Sequence, residues 1–231
     1  VFNPPAANDT LAVLFSGGLD SSILVAHLLG QGRQVVPVYV NSGLFWQQAE
    51  LASAQRFLAA IATADLAPMA VLGLPLADLY GQHWSMTGIG VPRADDPDEA
   101  VYLPGRNPLL MVKAHVWCGL NRVAQLAIGT LDSNPFADAS EPFFDEFGAA
   151  MDRAVDGHVQ LVQPFTQLDK RAVMNLGRDL PLELTFSCLA PHSGLHCGRC
   201  NKCAERQRAF SLIELSDPTI YATASQALKS L

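Results

Sequence analysis

Four of the five cysteines lie close together near the C-terminus, as Cys188, Cys197, Cys200 and Cys203. A Cys-x2-Cys step brings two sulfurs to ~3.7 Å around one tetrahedral ion with Zn–S near ~2.3 Å, and four thiolates leave no ligand position open for water. The spacing therefore predicts a structural metal site, with zinc as the leading occupant. An iron–sulfur cluster on three of the thiolates and a redox disulfide are the competing readings. Gly198 permits the tight turn between Cys197 and Cys200, and Arg199, Lys202, Arg206 and Arg208 can offset the negative charge of a tetrathiolate. His192 and His196 fall inside this knot and read as loop histidines. The remaining Cys118 stands in an apolar helical stretch and reads as a buried thiol.

The second chemical motif is Ser16-Gly17-Gly18-Leu19-Asp20-Ser21-Ser22. It follows a short apolar run, LAVLF, and precedes an apolar helix pattern, ILVAHLLGQG. Two glycines let the backbone take positive φ and approach a ligand. The helix start presents free N–H groups and the positive end of its dipole, and the serines add hydroxyl donors. Together these make an anion cradle. No Gly-Lys-Ser/Thr follows, so it is not a Walker A loop. The plain alternative is a strand–helix turn with Asp and Ser as caps.

The elements around these motifs predict a fold. Strands are expected at 11–15, 34–40, 67–74, 124–129 and near HVQLVQPF. Helices are expected from Ile23, over Gln47–Ile61, Pro108–Leu120, Glu141–Val155 and Asp169–Asp179, and at the C-terminus. The strands are apolar runs that alternate with helices, the mark of a parallel sheet covered on both faces. The expected fold class is α/β, a doubly wound parallel sheet with a small metal-bound C-terminal helical segment. Ligands of such sheets bind beyond the carboxyl ends of the strands at the switch point, where the loops after strands 1 and 4 meet. Residues 1–10 read as a loose arm, 11–180 as the α/β domain and 181–231 as the cysteine-bearing segment. The Gly- and Pro-rich stretch 75–105 reads as a lid-like loop.

Composition sets limits. The chain has 231 residues and 15 Lys+Arg against 22 Asp+Glu, a formal charge of −7. Hydrophobic residues make up 49% and charged ones 16%, which excludes wholesale disorder. No apolar run reaches the ~20 residues of a membrane span, and the acidic balance argues against a general nucleic-acid coat. With no export signal at the start, a cytoplasmic location is expected.

The order strand–SGGxDS–helix resembles the PP-loop of the adenine-nucleotide α-hydrolase-like ATP pyrophosphatases. With Cys-x8-Cys-Gly-x-Cys-x2-Cys at the far end, the chain is similar to the 7-cyano-7-deazaguanine synthase (QueC) family. Arg106-Asn107, Ser85-Met86-Thr87, Lys170 and Thr185-Phe186-Ser187-Cys188 match further family segments. The resemblance implies ATP, Mg²⁺ and Zn²⁺ as cofactors. It implies conversion of a carboxylate on 7-deazaguanine to a nitrile through adenylation, with ammonia as co-substrate, in a homodimer with no stable nucleic-acid complex. It implies catalytic roles for Asp20, Arg106 and Lys170, and nucleotide contacts from Ser16, Gly17, Gly18, Leu19, Asp20, Ser21, Ser22, Asn41 and Gly129. Acceptor contacts would come from Asn107, Asp132, Asp138 and Phe143.

The chain also departs from the family. Ala139 and Ser140 stand at the family's Cys and Arg positions after strand 4. Ser42-Gly43-Leu44-Phe45-Trp46 replaces its Tyr-Gly-Gln-Arg-His after strand 2, although Glu50 persists. A related ligase with a different acceptor, and a nucleotide-binding module without turnover, are the alternatives to nitrile synthesis.

Overall fold

A computed structural model describes residues 10–131, 134–155 and 157–222. Asp132 and most of the expected N-terminal arm lie outside the described residues. In chain order the strands are β1 (Thr10–Leu14), β2 (Gln34–Asn41), β3 (Ala70–Gly73), β4 (Gln125–Ala127) and β5 (Gln160–Val162). The helices are α1 (Leu19–Gly30), α2 (Gln47–Ala60), α3 (Ala77–Tyr80), α4 (Trp84–Thr87), α5 (Arg106–Leu120), α6 (Glu141–Val155), α7 (Lys170–Leu176) and α8 (Asn201–Leu212).

All five strands pair in parallel, in the order β3-β2-β1-β4-β5. The order reverses between β1 and β4, so the switch point falls where the sequence puts it. β1 and β2 are buried almost throughout because helices cover both faces. On one face α1, α2, α7 and α8 pack around Ile23, Leu24, Phe57, Val173, Met174 and Phe210. On the other, α5 and α6 meet the sheet through Ala114, Cys118, Leu126, Met111 and Phe144. Cys118 is fully buried, as its apolar helix requires.

Two boundaries differ from the sequence pattern for clear reasons. α1 starts at Leu19, not Ile23, because Asp20 and Ser21 sit in its first turn and belong to the helix as well as to the loop. α7 stops at Leu176, and Gly177 follows as its cap, at a position where a Cβ would come 2.5 Å from Ile23 Cγ1 on α1. The stretch 75–105 carries α3, α4 and a single-turn helix at Asp98–Val101. It packs on the cysteine knot through Tyr80, Trp84, Met86, Val91 and Val101. Among the described residues, no helix is long and apolar enough to cross a membrane.

One polar clip holds α6 to α5 and to the start of β5. Asp152 Oδ1 accepts the Val159 N–H at 2.9 Å and lies 3.3 Å from Nε2 of the fully buried His115, while His158 Nδ1 lies 2.5 Å from Oδ2. Burial pushes the His115 imidazole below its ordinary value, and the Asp152 charge offsets this only in part. Burial raises the Asp152 carboxyl, but the Val159 N–H and the His158 ring outweigh it and leave the group below its usual range. Both shifts act in one direction. Below pH 6.5 the unfolded chain takes up a proton that folded His115 resists, and at lower pH it protonates a carboxyl that folded Asp152 keeps ionised. Stability should therefore fall on acidification, by up to about 1.4 kcal/mol per pH unit for each such group. Thermal melts at pH 7.5 and 5.5 check this: the His115→Leu variant should lose fewer degrees than the parent over that interval. Equal slopes would show that His115 carries no share.

Candidate active site

The bend after β1 is shaped by two close approaches. Gly17 has φ +72°, and a Cβ there would lie 3.0 Å from Ala54 Cβ on α2, so a larger residue would push α2 away. Its carbonyl accepts the Phe186 N–H at 2.8 Å, which fastens the bend to the segment that leads into the cysteine knot. Ser21 Oγ accepts the Ser16 N–H at 3.2 Å and lies 3.0 Å from Ser16 Oγ, which in turn accepts the Gly18 N–H at 3.3 Å. The hydroxyls thus pre-form a ring at the head of α1.

That ring forms part of the lining of a cleft of ≈ 320 Å³ at the β1–β4 switch point. Cationic side chains reach it from four places in the sequence: Arg106 at the start of α5, Lys170 at the start of α7, and Lys202 and Arg206 on α8. Lys170 Nζ donates to both Asp20 oxygens, at 2.7 and 2.9 Å. Asp169 caps α7 by accepting the Ala172 N–H at 2.7 Å, and this sets the direction of Lys170. The Arg106 Nε is buried and makes no hydrogen bond among the described residues. It is thus a donor in the cleft lining without a protein acceptor among the described residues.

The other wall is aromatic and acidic. Trp46 and Trp84 stack with ring centres 5.9 Å apart. Beside them Tyr39 Oη donates to Glu50 Oε2 at 2.7 Å in a buried pair. Burial raises the Glu50 carboxyl above its ordinary value, and Arg106 and the Tyr39 hydroxyl offset this only in part. Burial and the Glu50 charge raise the Tyr39 phenol as well. The wall therefore offers flat apolar rings with one carboxyl group able to accept a hydrogen bond.

The four cysteine sulfurs lie within 4.8 Å of one another, all four are buried, and none is in a disulfide. Cys197 and Cys203 Sγ are 3.9 Å apart, close to the edge of a tetrathiolate tetrahedron. Cys188 Sγ accepts the Cys197 N–H at 3.2 Å and Cys200 Sγ accepts the Leu189 N–H at 3.4 Å. Backbone donors aimed at sulfur suit thiolates, so this donor set can hold a metal ion. His196 faces away from it: Nε2 accepts the Ser187 N–H at 3.1 Å.

Of the residues singled out from the sequence, Ser16, Gly18, Leu19, Asp20, Ser21, Arg106, Asn107, Gly129 and Lys170 line the one cleft. Gly17 and Ser22 do not line it: Gly17 forms the bend held against Ala54 and Phe186, and Ser22 is fully buried in α1. Asn41 closes the turn after β2, where Oδ1 accepts the Gly43 N–H at 3.2 Å, and does not line the cleft. Asp138 stands one step back and accepts a hydrogen bond from Asn107 Nδ2 at 3.1 Å. Phe143 packs against Phe144 and Phe147 on α6. Sequence reasoning did not place Tyr39, Trp46, Trp84, Lys202 or Glu205 in the site. Glu50 carried a signal, since Gln47, Glu50, Ala54 and Phe57 share the buried face of α2.

The sequence profile of queuosine biosynthesis protein QueC matches residues 10–214. The chain belongs to the QueC family. A 7-cyano-7-deazaguanine synthase of Solidesulfovibrio magneticus is 32% identical over 227 residues, covering 90% of this chain and 94% of the relative. The synthase of Anaeromyxobacter dehalogenans is 30% identical over 227 residues, covering 91% and 94%. That of Acidobacterium capsulatum is 28% identical over 228 residues, covering 91% and 95%. The chain's departures from the QueC pattern at Ala139 and Ser140 sit outside the cleft lining. Ala139 is buried with Met111, Ile128 and Phe144, and Ser140 Oγ donates to the Ala137 carbonyl at 2.8 Å.

The buried cluster around the four cysteines and the lining of the cleft share Trp46, Leu103, Phe186 and Leu189, so loss of an ion held by those cysteines should disturb both. Cys203→Ala should leave the purified chain without its metal, by elemental analysis, and lower its stability by at least several kcal/mol. Full stability in metal-free protein would remove the ion from the fold.

Proposed function

We propose that the chain is an ATP-dependent C–N ligase that converts 7-carboxy-7-deazaguanine and ammonia to 7-cyano-7-deazaguanine. The observation that carries this reading is the gathering of the PP-loop, Arg106 and Lys170 in one switch-point cleft of a QueC-family chain. ATP supplies an adenylyl group that activates the acid. Ammonia then gives the amide, and a second ATP-driven dehydration gives the nitrile.

The chain's own groups divide this work by position. The hydroxyls of Ser16 and Ser21 and the N–H groups at the head of α1 bind the departing pyrophosphate. Asp20 would hold Mg²⁺, which screens phosphate charge, and its partner Lys170 then turns its ammonium toward phosphate. Arg106, with a donor that finds no protein acceptor, binds negative charge at the reacting carboxylate or phosphate. Tyr39, Glu50 and the paired indoles exclude water and give a flat ring a surface to lie on. The knot holds zinc in a structural role, because its four thiolates leave no position open. The reading carries with it a cytoplasmic homodimer acting on a small molecule rather than on nucleic acid.

Incubation of the full chain with ATP, Mg²⁺, ammonia and the deazaguanine acid should give AMP, pyrophosphate and the nitrile, each dependent on the acid, by mass spectrometry. Lys170→Ala should lower kcat/KM by about a hundredfold or more, the scale of one charged donor lost from a transition state. ATP binding with no AMP release on this acid would overturn the reading. Elemental analysis should find zinc rather than iron, at one ion per chain.

A further inference from the structure

Lys202 lies between two of the knot cysteines, Cys200 and Cys203, in the first turn of α8, so the knot fixes its backbone. Its Nζ donates to Glu205 Oε2 at 2.6 Å. An i,i+3 pair of this kind on an open helix face contributes only a few tenths of a kcal/mol and implies no function. This pair is not on an open face. Lys202 and Glu205 both line the PP-loop cleft, and Glu205 Oε1 also lies 3.8 Å from Lys170 Nζ, the lysine bound to Asp20. One carboxylate therefore stands between two ammonium groups, and the chain Asp20–Lys170–Glu205–Lys202 runs from the phosphate loop to the knot. An anion facing a polyphosphate site is unfavourable unless the cations beside it are held for the ligand.

We propose that Lys202 is a second polyphosphate-binding lysine of this cleft, and that Glu205 is the positioning residue that keeps Lys202 and Lys170 there until a polyphosphate displaces it. The proposal rests on the nucleotide reading above and adds to it a ligand group delivered by the cysteine knot. The incoming phosphate oxygens take the ammonium donors, and the Glu205 carboxylate loses partners. Removing each residue should therefore act in opposite directions.

Titration calorimetry with inorganic pyrophosphate and Mg²⁺ on the metal-loaded full chain tests this without any acceptor. Lys202→Met should bind about tenfold more weakly, the scale of one charge-assisted hydrogen bond. Lys202→Arg should keep most of the affinity, and Glu205→Gln should bind several-fold more tightly. A purely structural pair would lower the melting temperature in both variants and leave pyrophosphate affinity unmoved. Wild-type affinity in Lys202→Met with its metal retained, or weaker binding in Glu205→Gln, would overturn the proposal. If Lys202→Met loses its metal, the arginine and Glu205→Gln variants decide alone. A parent chain that takes up no pyrophosphate refutes the nucleotide reading itself, whereas a parent that binds while the variants do not separate refutes only this step.

Discussion

The cleft depends on a buried guanidinium. Arg206 is 1% exposed and is the largest fully buried side chain among the described residues. Its Nε donates to Thr219 Oγ1 at 2.6 Å, Nη1 to Thr185 Oγ1 at 2.7 Å and Nη2 to the Leu182 carbonyl at 2.6 Å, while Phe210 lies 5.3 Å from its carbon centre. Burying a cation without a carboxylate in contact is costly, and here four neutral acceptors from two segments share the charge, Ser187 Oγ being the fourth at 3.5 Å. Leaving them unpaired would cost about 1–3 kcal/mol each. The interaction holds the 182–187 segment against α8. Phe186 in that segment donates to Gly17, so the shape of the PP-loop is set partly by a residue near the opposite end of the chain.

This explains why the two motifs belong in one protein. A glycine bend after a central strand is flexible when alone. Here Ala54 confines it from α2 and Phe186 from the knot side. The cysteine knot contributes at a distance. Cys200 and Cys203 tie down the first turn of α8, which carries Lys202, and the next turn brings Glu205 and Arg206 to the cleft. A structural ion can in this way orient charged groups without touching a ligand.

Much of this was legible in the sequence. The parallel sheet followed from apolar runs alternating with helices, and β1 and β4 meet at the switch point as that pattern requires. Lys170 and Arg106 were assigned to the site through family motifs rather than periodicity, and both line it. What escaped depends on side-chain direction across long separations. Nothing local marks Trp46 and Trp84 as partners, because α4 lies within a stretch whose glycines and prolines read as loop. The family resemblance implies a nucleotide contact for Asn41, whereas here its amide oxygen serves the turn that follows. Lys202 reads as a charge that offsets the thiolates, and Glu205 carries no signal, because the sequence cannot tell which face of α8 looks into the cleft.

Charge separation follows from the same geometry. The chain carries a formal −7, yet four of its cations converge on one concave surface. Their field is kept local by the carboxylates among them, Asp20 on Lys170 and Glu205 on Lys170 and Lys202. Glu50 differs, because burial drives it toward the neutral form beside Tyr39. The cleft therefore has one end lined by ion-paired ammonium groups and another lined by stacked indoles and the hydrogen-bonded Tyr39–Glu50 pair. A polyphosphate at the first end and a planar acceptor at the second would meet near Arg106, whose buried Nε has no protein acceptor among the described residues. Under the proposed function the unpaired donor would meet the negative charge that develops in the reaction, and the paired ones the charge that the phosphates already carry.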